Sequence, residues 1–476
     1  MHDRPGGVTL LIGGAVVTID EQRRILDPGA VAVENDVILA VDTPESLRAK
    51  YPNASEVDLQ HTVIMPGLVD SHGHAGHGMT KGIAPGADWL ETIAKVYFHG
   101  SDDAFWRAES FLSALEHIEY GVTTSLSMTG SQPRVDDPRY AVAAAAGYQE
   151  LGLRHIVALG PPGGDPPWNY TDVQTNQAHQ IDLDGSLATT AAAIDQIHGT
   201  SEGRLSCYVG PSSLTNGLDS SGNATDSAVA QMKGVYELAN QKGVNIHSHA
   251  YKGQISAAAK AFPDILEPRV CLAHCAGITG DEIGIMAETG VSASHGPLTK
   301  AYARDRFPVI EALDAGVNVV ISTDGSGPDR SFDLLAQGRV AVQLQHVHFQ
   351  DTFLLPSGKV LEMMTIDAAR ALGLDGQIGS LEPGKKADII ALDIRTGRMY
   401  PRMMLPQRLV FVGSGLDVAF MMVDGRVLMQ DRRYDWIDVD SILDEAQRAA
   451  EESFARAGVL DALQEHPREW GEVRYQ

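Results

Sequence analysis

Residues 8 to about 64 alternate short apolar runs with turns. The runs are Val8–Ile12, Ala15–Ile19, Ala30–Val33 and Val37–Val41, separated by Gly13-Gly14, Asp27-Pro28-Gly29 and Glu34-Asn35-Asp36. β-branched residues at this density between turn formers predict a small antiparallel sheet. From Val63 onwards the rhythm changes to strand, loop, helix. Val63-Ile64-Met65 leads through Pro66-Gly67-Leu68-Val69 into Asp70-Ser71-His72-Gly73-His74. Further β-type runs follow at 122–126, 155–159, 205–209, 244–249, 270–274, 291–295 and 317–322. Helical patterns over 139–151, 186–197, 225–242, 279–289 and 304–315 separate most of them. Ser101-Asp102-Asp103 reads as the cap and acidic first turn of another helix through Glu119, with Gly121 as its stop. Thr279-x-x-Glu282 is a capping box.

Eight strands alternating with helices predict an α/β fold built on a closed parallel (β/α)8 barrel of the TIM type. After Ser331 the chain is helical again, notably from Leu361 to Leu372, and β-type runs return at 387–392, 410–412, 418–423 and 426–429. These runs are expected to join the N-terminal ones in a small β-sandwich domain, and an amphipathic helix over 441–456 closes the chain. The expected organisation is 1–64 as the N-terminal part of the small β domain and 65–376 as the barrel. Residues 377–436 then form the C-terminal part of the small domain and 437–476 a helical tail.

Composition narrows the function classes. A chain of 476 residues exceeds one small core, and a barrel of about 250 residues with a satellite fits it. Hydrophobic residues at 43% and charged residues at 21% are those of an ordinary globular enzyme. The formal charge of −25, from 37 Lys plus Arg against 62 Asp plus Glu, repels phosphate backbones and anionic lipids. Nucleic acid and membrane are therefore poor partners, and a small neutral or cationic substrate is easier to reconcile. The N-terminus has no apolar core of signal-peptide length and no window of about 18 uninterrupted apolar residues follows, so the expected location is cytoplasmic. Cys207, Cys271 and Cys275 form no CxxC, which argues against a disulfide framework and a Cys-rich zinc site; they are expected to be buried small hydrophobes.

Candidate chemistry centres on the two imidazoles of His72 and His74. Residues i and i+2 of a strand point to one face, so the pair can grip a single ion where the strand ends. Imidazole nitrogen suits zinc or iron, and a catalytic ion takes three or four protein ligands while keeping a position for water. His249, His274, His295 and Asp324 each stand at the end of their own apolar run, the end at which such barrels gather catalytic groups. His247 and His249 repeat the i, i+2 spacing, so either serves as the strand-five ligand. His295 is read as a substrate contact, against plain packing. On the rim after strand three, Trp168 and Tyr170 are placed either to stack on a flat ring or to pack within the Gly160–Tyr170 loop. The missing P-C-x-x-C excludes the zinc nucleobase deaminases that carry it with H-x-E. No convincing G-x-G-x-x-G follows the first strand, which argues against a dinucleotide enzyme.

Several of these stretches carry a resemblance. Pro66–His74, Gly121-Val122-Thr123-Thr124, Ala273-His274-Cys275, Ser322-Thr323-Asp324-Gly325 and Ile378–Asp388 resemble the amidohydrolase superfamily. The tail, Leu409–Val418 and on through Val423-Asp424-Gly425-Arg426, is similar to its cytosine-deaminase and triazine-hydrolase (chlorohydrolase) branch, and the likeness spans about residues 8–455. The resemblance implies that His72, His74, His249 and Asp324 bind one divalent ion, Zn2+ or else Fe2+. It also implies a metal-bound hydroxide that attacks an electron-poor carbon of a small nitrogen heterocycle and expels ammonia, an amine or another leaving group. Asp324 would take the water's proton, and His274 would polarise the group under attack. The family's usual distance from Gly243 favours His249 over His247, and His77 stands where relatives often place a substrate contact, or else is a plain loop histidine. A homodimer or larger assembly is implied as well.

One position departs from the family. Deaminating members carry a glutamate three residues after the strand-five histidine to shuttle protons to the leaving amine, and here the residue is Lys252. A lysine cannot do that work unless its pKa is strongly depressed. A barrel that has lost activity and serves as a binding or assembly protein is a separate alternative; the departure itself favours hydrolysis of an exocyclic amide, urea or carbamate bond. It is equally compatible with a solvated Lys252 on the loop.

Overall fold

The computed structural model describes residues 6–83, 89–130, 134–303 and 305–463. Eight strands form the barrel: β1 (Leu68–His74), β2 (Val122–Met128), β3 (Arg154–Leu159), β4 (Leu205–Val209), β5 (Ile246–Tyr251), β6 (Val270–Ala276), β7 (Ser292–His295) and β8 (Val319–Ile321). They lie side by side in chain order and every pairing is parallel. The ring is nearly closed between β8 and β1, where the Asp324 amide donates to the His72 carbonyl at 3.0 Å. The apolar runs are unbroken rather than alternating because helices cover the outside and side chains fill the inside. All 7 residues of β2 and all 6 of β3 are buried.

Several helices between strands begin and stop where the sequence signals say. Asp102 accepts from the Phe105 amide at the start of Asp103–Tyr120, and Gly121 ends that helix at φ 73° directly before β2. Thr279 and Glu282 form their reciprocal capping box at the start of Gly280–Thr289. Arg139–Leu151 and Asp226–Lys242 occupy the stretches expected of them.

Both chain ends build one further sheet of eight strands. Ile389–Asp393 pairs antiparallel with Ser55–Pro66, which brings residues from the last quarter of the chain beside those that lead into β1. The connection between that strand and β1 is the single residue Gly67. A Cβ there would lie 2.0 Å from Thr123 Oγ1, so only glycine lets the backbone pass β2.

Five expectations change. The N-terminal sheet is mixed, because Val8–Val17 runs parallel to Ser55–Pro66. Gly13-Gly14 does not separate two strands; it is an irregularity inside one strand of 10 residues, where the Gln60 carbonyl leaves no room for a Cβ on Gly14. Leu361–Leu372 is two helices, Ser357–Met363 and Ile366–Ala371, because the Met364 carbonyl leaves the helix to accept from Val69 of β1 at 2.9 Å. Val410-Phe411-Val412 is not a strand: the helix Leu405–Phe411, opened by Pro406, takes the run and buries Leu409 and Val410. The helix expected over 304–315 is confined to Val309–Asp314 after Pro308, and residue 304 lies outside the described residues. The closing helix spans Val439–Ala457, and the expected tail beyond 463 also lies outside them.

Candidate active site

Five side chains from three strand ends and one turn converge at the C-terminal mouth of the barrel. His72 and His74 come from β1, His249 from β5, His274 from β6, and Asp324 from the turn after β8. One ligand atom from each of the four histidines lies within 4.8 Å of the others. Asp324 Oδ1 lies 3.2 Å from His72 Nε2, 3.2 Å from His74 Nε2 and 3.5 Å from His274 Nε2. His249 Nε2 is 3.2 Å from His74 Nε2, and its ring stacks at 12° on His274. Among the described residues, Asp324 is the one carboxylate within 4.0 Å of these imidazoles.

Four of the five are held from behind, and His274 Nδ1 is buried without a hydrogen-bond partner. His249 Nδ1 donates to the Ser212 carbonyl at 2.6 Å, and His74 Nδ1 lies 3.3 Å from the Gly130 carbonyl. His72 Nδ1 meets His247 Nε2 at 2.8 Å. His247 and His249 point to the same face, as their spacing requires, but His247 sits a layer deeper and serves as a partner of His72. Asp324 Oδ2 accepts from Thr299 Oγ1 at 2.8 Å and lies 3.5 Å from Arg330 Nη2. Asp70 accepts from the Thr323 amide at 3.0 Å, tying β1 to the residue beside Asp324.

The electrostatics favour neutral imidazoles at His72, His249 and His274 beside one anion. Burial pushes His72 and His249 well below the ordinary imidazole range, and pushes His274 down to about 4 although Asp324 opposes it. Burial works against the charge on Asp324, but His274, Arg330 and the imidazoles of His72 and His74 outweigh it and hold the carboxyl well below its usual range. Burial raises Asp70 to about 7 against the hydrogen bonds it accepts.

Residues 63–428 match the Amidohydrolase family, and residues 29–54 match an imidazolonepropionase-like composite domain of bacteria. The chain belongs to the amidohydrolase family. Over 459 residues this amidohydrolase is 28% identical to the 5'-deoxyadenosine deaminase of Methanosarcina mazei, covering 93% of this chain and 97% of that one. It is 29% identical to the 5-methylthioadenosine/S-adenosylhomocysteine deaminase of Moorella thermoacetica, over 88% of this chain and 94% of the other. Among solved structures, a zinc-bound adenosine deaminase from Xanthomonas campestris superimposes with a TM-score of 0.81 at 23% identity, covering 95% of this chain and 100% of that one. The zinc complex of atrazine chlorohydrolase from Arthrobacter aurescens gives 0.77 at 21% identity, over 93% and 100%.

The donor set of this amidohydrolase fits a divalent ion. His72 Nε2 is buried and makes no hydrogen bond despite its 3.2 Å approach to Asp324, a costly state for a ring nitrogen with no other partner. Neutral imidazoles with one carboxylate are the ligands that zinc and iron accept.

The remaining candidates are placed as follows. His77 is buried, with Nδ1 at 3.1 Å from the Asp324 carbonyl and its ring 4.7 Å from His74. His295 is buried against Phe307 with neither ring nitrogen hydrogen-bonded, and burial pushes it down to about 3. Lys252 stands exposed in the turn after β5. Trp168 is 6% exposed and donates to the Gly163 carbonyl at 3.0 Å. Tyr170 is buried with its ring 4.9 Å from Phe98. The Gly160–Tyr170 stretch is a loop only in part, since Trp168–Asp172 pairs with Gln177–Ile181 in a hairpin. Sequence reasoning missed Thr299, Arg330 and Trp89; the Trp89 ring lies 5.0 Å from His77. Thr299 follows the His295-Gly296-Pro297 strand end closely, which is the one local signal that pointed near it.

Proposed function

We propose that this amidohydrolase hydrolyses a small nitrogen heterocycle at an electron-poor ring carbon, releasing ammonia, an amine or another leaving group. The approach of three imidazoles to Asp324 Oδ1 carries the reading, and the deaminase names of relatives along nearly the whole chain support the choice of substrate class. His72, His74, His249 and Asp324 would hold one ion, zinc or iron, with zinc favoured by the zinc-bound structural neighbours. When bound, such an ion supplies Lewis acidity that brings the pKa of a water from about 16 towards 7.

The protein's own groups do the rest. Asp324, ionised and fixed through Oδ2, takes the proton of the attacking water on Oδ1. His274, 3.5 Å from the same oxygen and neutral, polarises the atom that gathers negative charge as the water adds. Trp89 and His77 form an aromatic wall beside His74 that suits a flat ring. His295, with two unused ring nitrogens, is the second substrate contact.

Lys252 favours a second reading, cleavage of an exocyclic amide, urea or carbamate bond, because no carboxylate at that position moves a proton to a poor leaving amine. Three unpaired buried cysteines support a cytoplasmic location. Assembly as a homodimer or larger rests on the family resemblance alone. Among the described residues, no helix is long and apolar enough to cross a membrane.

The deciding experiment loads the protein with zinc and offers adenosine-type nucleosides, amino-, chloro- and alkylamino-triazines, anilides and phenylureas. Release from a heterocycle, abolished in Asp324→Ala, is expected. Turnover of anilides or ureas alone moves the assignment to the second reading, and turnover that survives Asp324→Ala overturns both.

A further inference from the structure

We propose that Arg330 is the positioning residue that sets the carboxylate of Asp324, so that ion retention depends on a guanidinium on the far side of that carboxylate. The inference rests on the ligand set proposed above. Asp324 and Gly325 have φ of 63° and 78°, two consecutive left-handed residues of which only the second is glycine. A left-handed aspartate costs on the order of 1 kcal/mol or more and persists only where its surroundings impose it.

Arg330 imposes it from several directions. Its Nη2 lies 3.3 Å from the Asp324 carbonyl and also donates to the Gly327 carbonyl, while Nε reaches the Gly325 carbonyl at 3.4 Å. The same Nη2 stands 3.5 Å from Asp324 Oδ2, and the two side chains are only 7% and 8% exposed. Thr299 occupies Oδ2 as well, at 2.8 Å. With Oδ2 taken, the lone pairs of Oδ1 remain for the imidazole cluster. His77 grips the Asp324 carbonyl from the β1 side at 3.1 Å, and the Asp324 amide is already spent on His72. Thr299 alone offers one donor and leaves the carboxylate free to swing; the planar fork of arginine removes that freedom, as a lysine amine would not.

The test measures zinc affinity by chelator competition and the visible spectrum of the cobalt-substituted protein, for wild type, His249→Ala, Arg330→Met and Arg330→Lys. Thermal midpoints of the metal-free proteins are measured alongside. Arg330→Met is expected to weaken zinc binding by about 10–100-fold and to alter the cobalt spectrum. Added methylguanidine should restore both, and Arg330→Lys should recover only part of the loss. Unchanged affinity and spectrum in Arg330→Met, even with a lowered midpoint, would make Arg330 a packing residue and overturn the inference. If Arg330→Met does not fold, Arg330→Lys decides: wild-type affinity without the fork overturns it equally. A wild type that takes no zinc, or keeps it in His249→Ala, overturns the ligand assignment itself and the inference with it. Wild-type binding lost in His249→Ala but kept in Arg330→Met removes the inference alone.

Discussion

His247 Nε2 meets His72 Nδ1 at 2.8 Å, which engages one of two histidines that the i, i+2 spacing alone leaves equivalent. If His72 Nε2 gives its lone pair to an ion, its Nδ1 carries the hydrogen and His247 accepts it, fixing the tautomer. His249→Ala is therefore expected to lose the ion on dialysis. His247→Phe should retain it with affinity lowered by about 10–100-fold. Metal content after dialysis distinguishes them, and the opposite pattern exchanges the two roles.

Lys252 offers a direct reading of leaving-group chemistry. Lys252→Glu is expected to raise the rate of ammonia release relative to chloride release from paired amino- and chloro-triazines, by about tenfold or more, since a placed proton shuttle contributes about 10²–10⁴-fold. An unchanged ratio would show that the exposed side chain stays out of the reaction.

Gly67 is expected to be intolerant of even one methyl group. Gly67→Ala places its Cβ 2.0 Å from Thr123 Oγ1 and 2.6 Å from Thr123 Cβ, and should destabilise the protein by roughly 1–3 kcal/mol. Thr123→Ala in the same chain removes the Oγ1 and Cγ2 contacts but keeps Cβ at 2.6 Å, so it should return only part of that loss. Urea unfolding of the two single variants and the double variant gives the coupling, and purely additive effects would refute the clash.

Acid stability should report the buried rings away from the cluster. Burial pushes His117 down to about 3 and His155, stacked 3.5 Å from Tyr148, well below the ordinary range. Below about pH 6.5 the unfolded chain takes a proton on each ring that the folded chain refuses. Stability thus falls as pH drops from about 6.5 towards 3. At pH 5 the loss from His117 is about 2 kcal/mol. Comparing unfolding at pH 7 and pH 5, His117→Gln should lose about 2 kcal/mol less than wild type; equal losses would mean His117 is protonated in the fold.

The parts that the sequence carries are those with local causes. Gly121, Thr225 and the Thr279–Glu282 box mark helix ends because their own backbones or hydroxyls make the caps. The i, i+2 rule places His72 with His74, and the ends of apolar runs place His249, His274 and Asp324 at the same mouth. What stays hidden depends on partners distant in sequence. The parallel pairing of Val8–Val17 with Ser55–Pro66 is a tertiary choice, and Val410–Val412 is too short a run for its period to decide between helix and strand. The depth that sets His247 against His72 and leaves His249 at the mouth is a layer of the barrel, which a period of two does not encode. Arg330 and Thr299 matter only once Asp324 has turned left-handed between them.

The strand Ser55–Pro66 has Val8–Val17 on one edge and Ile389–Asp393 on the other. During synthesis the first neighbour is available at once, whereas the second leaves the ribosome more than 300 residues later. Until then an open edge stands immediately upstream of His72 and His74, so the nascent chain carries a pairing surface that a chaperone or a stray strand can occupy. A transcript cut short before Ile389 would yield a polypeptide with every proposed ligand present and no second neighbour for the strand that delivers two of them.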